Sequence, residues 1–453
     1  MDHTKELETK SIGQLLLKYA VPAVISMVIM SVYNIADRIF IGQGVGPLAI
    51  AGLAITMPVM NVVNAFGSLV AIGSASRMSI VLGKKDVTWA ENILGNSMLL
   101  TFLFGILYVG LGYLLMDNIL TLFGATSGTL AYAKEYLMIV LPGMFLTSVS
   151  NNLTSLLRAS GYPKKSMLIM VAGAAINMIL DPLFIFVFHM GIAGAAWATT
   201  ISMAISALLA LIHFANKNSH IHFRTHGWRP RLYIFKNILL IGCSPFLMNI
   251  AASGVVALLN GQLIRYGGDL AVGTYGIVNT VCIFLVLFTI GVCQGMQPIV
   301  GYNYGAGHQH RLKEAFTLTM KINVLFMVVG AAICMIMPNL IINTFTSDAE
   351  LIRMGTPAVR LLTVMFPLVG FQVTIAQFFQ SIDKPWISIL VSLGRQVIFL
   401  APLCVLIPQF FVSAGYHGLT GIWTACAVCD VLGALLSLFF LIQQKKVFQI
   451  KER

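Results

Sequence analysis

The chain has 453 residues, of which 58% are hydrophobic and only 10% charged, against roughly 25% charged in an average soluble domain. Its mean hydropathy is +0.88. These values exclude a soluble enzyme, a disordered scaffold and a disulfide-stapled secreted fold, and leave a polytopic membrane protein.

A bilayer core requires about 20 apolar residues per helix. In chain order, twelve stretches meet that requirement: 15–40, 48–80, 91–115, 131–156, 166–188, 193–214, 237–264, 270–302, 314–337, 351–379, 387–410 and 417–442. The first is too long for a signal peptide and lacks a small-residue cleavage site, so it reads as a retained span. Lys and Arg total 28 against 16 Asp and Glu, a net charge of +12. With a cytoplasmic N-terminus, 20 of the 28 fall on the inner side, among them Lys10, Lys84, Lys85, Arg158, Lys164, Lys165, Arg224, Arg229, Lys445, Lys446, Lys451 and Arg453. The loops near 41–47, 116–130, 188–192 and 411–416 contain none. Both termini are therefore predicted inside, and the positive excess implies no nucleic-acid partner.

An internal repeat divides the chain. An offset of about 222 residues superimposes Pro22 on Pro245, Gly73 on Gly295, Gly83 on Gly305 and Pro163 on Pro385. With small gaps, Leu180-Asp181-Pro182-Leu183 meets Leu400-Ala401-Pro402-Leu403. Six helices per repeat is even, so the halves enter the membrane from the same side, related by an axis along its normal. The expected fold is all-α and membrane-integral, twelve helices in two six-helix lobes. Residues 1–214 form the first lobe, 215–236 a basic cytoplasmic linker and 237–453 the second lobe. A cleft between two lobes is what alternating access requires, so the architecture reads as a transporter.

Carboxylates at bilayer depth cost about 2.5–3.5 kcal/mol on insertion scales and usually mark ion or substrate paths. The first half has two: Asp37, in Tyr33-Asn34-Ile-Ala-Asp37-Arg38, and Asp181, four residues after Asn177 and therefore on the same helical face. The repeat sets Asn260 near Asp37 and Ala401 opposite Asp181, so the second half lacks both acids. The structural alternative is that Asp37 pairs with Arg38 and Asp181 caps a broken helix. Desolvation favours the neutral form of a buried carboxyl, which suits proton carriage; two carboxylates with amide and hydroxyl oxygens also suit a small hard cation. Arg77, Lys321, Arg360, Arg395 and Asp430 read as helix-end or structural charges, with Arg395 and Asp430 as a candidate pair. Gly67, Gly73, Gly105 and Gly110 are expected to permit close helix contact.

All seven cysteines lie in apolar segments of the second half, so Cys426-x-x-Cys429 is read as structural. His220, His222 and His226 sit in the basic central loop, read as solvated rather than as a metal site. Neither a paired His-Glu metal motif nor a nucleophile elbow points to an enzyme.

Taken together, the twelve-helix repeat, Pro22, Asp37, Asn177-x-x-x-Asp181-Pro182, Gly46-Pro-Leu-Ala-Ile-Ala-Gly52, Leu156-Leu157-Arg158-Ala159-Ser160-Gly161 and Gly301-Tyr-Asn-Tyr-Gly305 resemble the multidrug and toxic compound extrusion (MATE) family, in its DinF/MepA-like prokaryotic branch. The resemblance spans nearly the whole chain. It implies a proton- or sodium-coupled antiporter that exports amphipathic, often cationic, small molecules. It needs no cofactor and works as a monomer in the inner membrane. It also implies Asp37, Asn177, Asp181 and Thr199 as the coupling site, where Na+ would be held, with Tyr136, Asn151 and Asn34 as polar neighbours in that lobe. The other prokaryotic branch carries acids in helices seven and ten, where this chain offers Asn249 and Asn260, and Gln372 and Gln377; this disfavours a cation site in the second lobe and leaves Asn260 and Gln377 as substrate or supporting polar residues. The rivals are a lipid-linked oligosaccharide flippase, which would line its cleft with several Arg or Lys, and a dedicated metabolite exporter.

Topology is tested directly. In a background without native cysteines, Cys placed at Gly44, Ser127 or Ser413 should react with an impermeant thiol reagent outside intact cells, whereas Cys at Lys84, Arg229 or Lys446 should not. Labelling of the second group would overturn the orientation.

Overall fold

The computed structural model describes residues 5–126, 128–345 and 348–448; Ser127, Lys451 and Arg453 lie outside them. Among the described residues, ten helices are long and apolar enough to cross a membrane. A bent pair, α12 (Ala349–Thr363) and α13 (Phe366–Ser381), meets at 46° and makes an eleventh span. The twelfth comes from α9 (Leu232–Ala306), whose 75 residues are divided by Gly268 at φ +65°. Two of the expected spans thus join without the loop predicted at 265–269, because one glycine in the left-handed region turns the chain. The expected span 351–379 is instead broken, since Pro367 has no N–H to continue the ladder of α12.

A short α1 (Lys5–Thr9) precedes α2 (Ile12–Gly44), which runs unbroken through Pro22. There follow α3 (Pro47–Gly83), α4 (Val87–Leu114), the surface helix α5 (Met116–Leu122), α6 (Leu130–Ala159), α7 (Pro163–Pro182) and α8 (Gly191–Ala215). After α9 come α10 (Gln309–Ile336), α11 (Pro338–Asn343), the bent pair, α14 (Pro385–Leu393), α15 (Ala401–Ser413) and α16 (Gly418–Gln443). Two π-helical segments occur at matching places of the repeat, Leu183–Val187 after α7 and Gly394–Leu400 after α14. Among the described residues there is no strand.

The lobes meet where α3 crosses α9, and the repeated glycines account for the closeness. A Cβ on Gly83 would stand 2.0 Å from the carbonyl oxygen of Tyr302, and one on Gly305 2.0 Å from that of Ile80. A Cβ on Gly73 would stand 2.1 Å from the Ile238 carbonyl oxygen, one on Gly242 1.8 Å from that of Leu69, and one on Gly295 2.5 Å from Ala20 Cα. Glycine is the side chain these backbone contacts admit. Ser76 Oγ donates to the Gln380 carbonyl at 2.9 Å, and Arg77 pairs with Asp383 at 2.8 Å, both across the same seam. Of the four glycines expected at helix contacts, Gly67, Gly73 and Gly105 have close neighbours, but Gly110 has nothing within 4 Å and faces outward.

The seam is stapled at the end where α1 lies. Arg311 donates to the carbonyls of Leu7 (3.0 Å) and Lys10 (2.6 Å), Tyr302 donates to Glu8 (3.4 Å), and Lys85 pairs with Glu8 (3.4 Å). The hydrogen bond from Lys18 holds Glu6 below the usual carboxylate range.

The central segment is exposed along about half of its length but is docked on α4 at Asn96 and Glu91. Asn96 of α4 donates to the carbonyls of Gly227 and Arg229, each at 3.1 Å, and accepts from the Arg231 N–H at 2.8 Å. Glu91, 3% exposed, lies 3.0 Å from Arg224 Nε, 3.7 Å from His222 Nδ1 and 3.4 Å from His226 Nε2. Residues 216–231 therefore form a strap docked under α4, and 232–236 already belong to α9. The sequence placed no carboxylate near these histidines because Glu91 is remote along the chain.

Substituting Gly83 or Gly305 by Leu should force the crossing backbones apart. The expected result is at least a several-degree fall in Tm by detergent thermal-shift assay. Gly110→Ala should leave Tm unchanged or slightly raised, since it adds helix propensity in open space.

Candidate functional site

Four helices of the first lobe bring polar side chains to one place. α2 contributes Asp37, α7 contributes Asn177 and Asp181 one turn apart, α8 contributes Thr199 and α6 contributes Tyr136. Asn177 Nδ2 donates to Asp181 Oδ1 at 3.4 Å and to Thr199 Oγ1 at 3.3 Å. Asp37 and Asp181 are close enough to act on each other electrostatically, and Tyr136 stands near Thr199. Asn177 and Asp181 are fully buried, and Tyr136 is buried among the apolar side chains of α2, α3 and α8. Pro182 closes α7 and the π-helical segment follows directly, a local irregularity frequent at functional sites.

Three oxygens of this cluster, Asp37 Oδ1, Asn177 Oδ1 and Asp181 Oδ2, are buried without a hydrogen-bond partner. Most buried polar atoms in folded proteins are paired, so three orphaned acceptors on adjacent residues call for a positive species. Two neighbouring buried carboxyls likewise disfavour double ionisation, which a proton or a cation relieves. The donor set of two carboxyls, an amide oxygen and a hydroxyl fits a proton or an oxygen-ligated ion such as Na+. Among the described residues no group of three His, Cys, Asp or Glu is placed to hold a metal ion.

Some of the residues named from the sequence lie apart from this cluster. Asn34 is exposed and donates to its own helix at Met30 O, 2.7 Å. Asn260 and Gln377 are half-buried in the other lobe. Asn151 is half-buried beside the residue that carries the polar network of α6, Asn152. Asn152 accepts from Ser74 Oγ (2.8 Å) and donates to Ser97 Oγ (3.1 Å) and Thr101 Oγ1 (3.2 Å), tying α6 to α3 and α4. Arg38 is directed toward Met57 Sδ at 3.6 Å, and Arg395 pairs with Asp430 at 2.7 Å. The residue that sequence reasoning passed over is Tyr33, one turn before Asp37 and close to both acids; its i, i+4 spacing to Asp37 is the signal that would have found it.

Asn152→Ala should cost about 1–3 kcal/mol, because three hydroxyl groups lose their shared partner. Asn151→Ala should cost much less. Chemical or thermal unfolding of the purified variants in detergent compares the two.

The MatE family model matches the chain twice, over residues 22–183 and 245–406. The multidrug export protein MepA of Staphylococcus haemolyticus (strain JCSC1435) is 27% identical over 436 residues, covering 95% of this chain and 94% of that protein. A multidrug resistance MATE family transporter of the MOP superfamily, solved in an outward-facing conformation, superimposes with a TM-score of 0.90 at 24% identity, covering 99% of this chain and 98% of its own. A MATE crystal structure in the bent conformation gives a TM-score of 0.92 at 22% identity, with 99% and 98% covered. With both halves of the membrane domain matched by one model and the whole fold shared, the chain belongs to the MatE family.

Proposed function

We propose that this protein is a cation-coupled antiporter that exports amphipathic, often cationic, organic compounds across the cytoplasmic membrane of a prokaryote, acting as a monomer. The observation that carries the reading is the set of three unpartnered oxygens on Asp37, Asn177 and Asp181. They make the first lobe a receptor for H+ or Na+ at bilayer depth. The relative named a multidrug export protein supports the substrate class.

The lobes, 1–214 and 237–453 about the strap, are closed against each other at the end where the N-terminal helix lies. If that end is cytoplasmic, as the Lys and Arg distribution indicates, the molecule rests in an outward-facing state. An ion entering from outside binds the acid pair, discharges the repulsion between the carboxylates and favours the opposite arrangement of the lobes. Release of the ion inward lets substrate bind from the inside, and the return of the lobes to the outward-facing state lets it leave. One pH unit across the membrane supplies about 1.4 kcal/mol per proton. Tyr136 and Tyr33 wall the site, and Thr199 supports Asn177 without adding charge.

Asp37→Asn and Asp181→Asn keep size and remove charge, so both variants should insert and fold. Export of a cationic dye from proteoliposomes under an imposed pH or sodium gradient should fall at least about tenfold, with dye binding in detergent largely retained. Asn177→Ala and Thr199→Ala should be milder, and Asn260→Ala should leave the gradient dependence intact. Wild-type export rates in both Asp variants would defeat the first-lobe coupling hypothesis.

A further inference from the structure

Along its first half, α2 does not close fully against the second lobe. Between Gly13 and Ile25 it leaves a groove of about 460 Å³ whose opposite wall is formed by Phe288 and Val292 of α9 and Leu318 and Ile322 of α10. The groove opens outward. Leu17, Val21 and Ile25 on its rim continue into Val28, Val32, Ile35 and Ile39, a stripe at three- and four-residue spacing in which each member is at least 38% exposed. An uninterrupted apolar stripe on a spanning helix faces hydrocarbon, because polar groups at that depth are turned toward the protein interior.

The dimensions select the occupant. From Gly13 to Ile25 the helix climbs about 18 Å, close to the roughly 15 Å of hydrocarbon in one leaflet. Spread over that length, the volume gives a section of about 25 Å², far too narrow for another helix of about 10 Å diameter. The volume is also about three times that of a cavity of about 150 Å³ that admits benzene, so a chain fills it better than a single ring. Every residue lining it is apolar or glycine.

The end of the groove beside α1 is cationic. Lys10 stands three residues before Gly13 and Lys18 directly after Leu17, and both share the carboxylate of Glu6. Arg311, two turns before Leu318 on the same face of α10, donates to the carbonyls of Leu7 and Lys10 and to Asn303 Oδ1, all of them neutral. Glu8 is met by Lys85. Lys313 and Glu314 are both exposed and offset each other, and Lys321 is exposed beside Ile322. Side chains lean toward the N-terminus of their helix, which points Lys321 back to the α1 end. Around this end three acids, Glu6, Glu8 and Glu314, thus stand against six bases. Such an excess attracts anionic lipid headgroups.

A dry channel one leaflet deep that ends in surplus positive charge has the outline of a lipid. We infer that the groove holds one phospholipid with an anionic headgroup, an acyl chain between α2 and α10 and its phosphate near Lys10, Lys18 and Lys321. One wall belongs to each lobe. The bound lipid therefore bridges the lobes on the side where α1 closes them, and favours that arrangement. The inference does not depend on which ion or compound is transported.

The test uses full-length protein relipidated in an equal mixture of dioleoyl phosphatidylglycerol and dioleoyl phosphatidylcholine, which carry the same chains and differ in headgroup charge. After extraction in mild detergent, retained lipid is counted by native mass spectrometry. Wild type should keep one phosphatidylglycerol, at least about fivefold in preference to phosphatidylcholine. Leu17→Trp and Val21→Trp fill the groove from its exposed rim and should each cut retention at least about fivefold, whereas Leu325→Trp, exposed on α10 outside the groove, should not. Lys10→Gln combined with Lys321→Gln should keep a lipid but reduce the headgroup preference to less than about twofold. Added phosphatidylglycerol should raise the Tm of wild type by several degrees more than phosphatidylcholine does, and should lose that advantage in Val21→Trp. The site is overturned if wild type retains no lipid or both lipids alike, if the rim variants retain lipid as wild type does, or if Leu325→Trp loses it equally. An equal effect of the two lipids on wild-type Tm would defeat the bridging role.

Discussion

Two backbones cross in this molecule at a separation that leaves no room for a side chain. The contact of α3 with α9 is made through Gly73, Gly83, Gly242 and Gly305, each facing main-chain atoms of the other lobe. In hydrocarbon, association of helices gains nothing from hiding apolar surface, because lipid is as apolar as the protein; close packing and polar contacts must hold the lobes. The seam supplies the first through glycine and the second through Ser76 with Gln380 and Arg77 with Asp383. The register of this crossing sets how α2 of the first lobe lies against α9 and α10 of the second.

Polar groups at bilayer depth fall into two kinds here. Asn152 and the Arg395–Asp430 pair hold their neighbours in fixed geometry through good hydrogen bonds. The acid cluster and the side-chain oxygens of Gln372 and Gln396 are incomplete. An unsatisfied buried acceptor costs about 1–3 kcal/mol, so the acid cluster, with three on adjoining residues, is where an added ion returns most free energy. Both groups lie beside a π-helical segment, where the regular ladder is already interrupted and side chains can turn into the lobe interior.

The closed end is held by contacts of another character. The α1 staple depends on charged and carbonyl groups of α1, Lys85, Tyr302 and Arg311. Such bonds are exchanged for water at modest net cost. An alternating-access cycle requires this end to open and re-close, which exchanges these polar bonds for water and also parts apolar side chains of both lobes that share one cluster, among them Leu15, Met78, Met296 and Phe378.

Composition and periodicity by themselves determined the membrane class, the twelve spans, the repeat and the two acids that distinguish the first half. These are legible because hydropathy and charge act residue by residue, and an ionised group in an apolar run is conspicuous wherever the chain carries it. The four-residue spacing of Asn177 and Asp181 likewise places them on one face before any folding is known. Tertiary structure alone decided that Asp37 meets Asp181, that Thr199 and Tyr136 close the same site, and that Asn152 rather than Asn151 carries the polar network. It also turned the histidine loop into a strap on Glu91 and Asn96, ran α9 through an expected loop, left Gly110 unpacked and opened an apolar groove between α2 and α10. Each of these depends on helices remote in sequence arriving at the same depth and rotation. That arrangement is set by packing between faces, and no local pattern of residues encodes it.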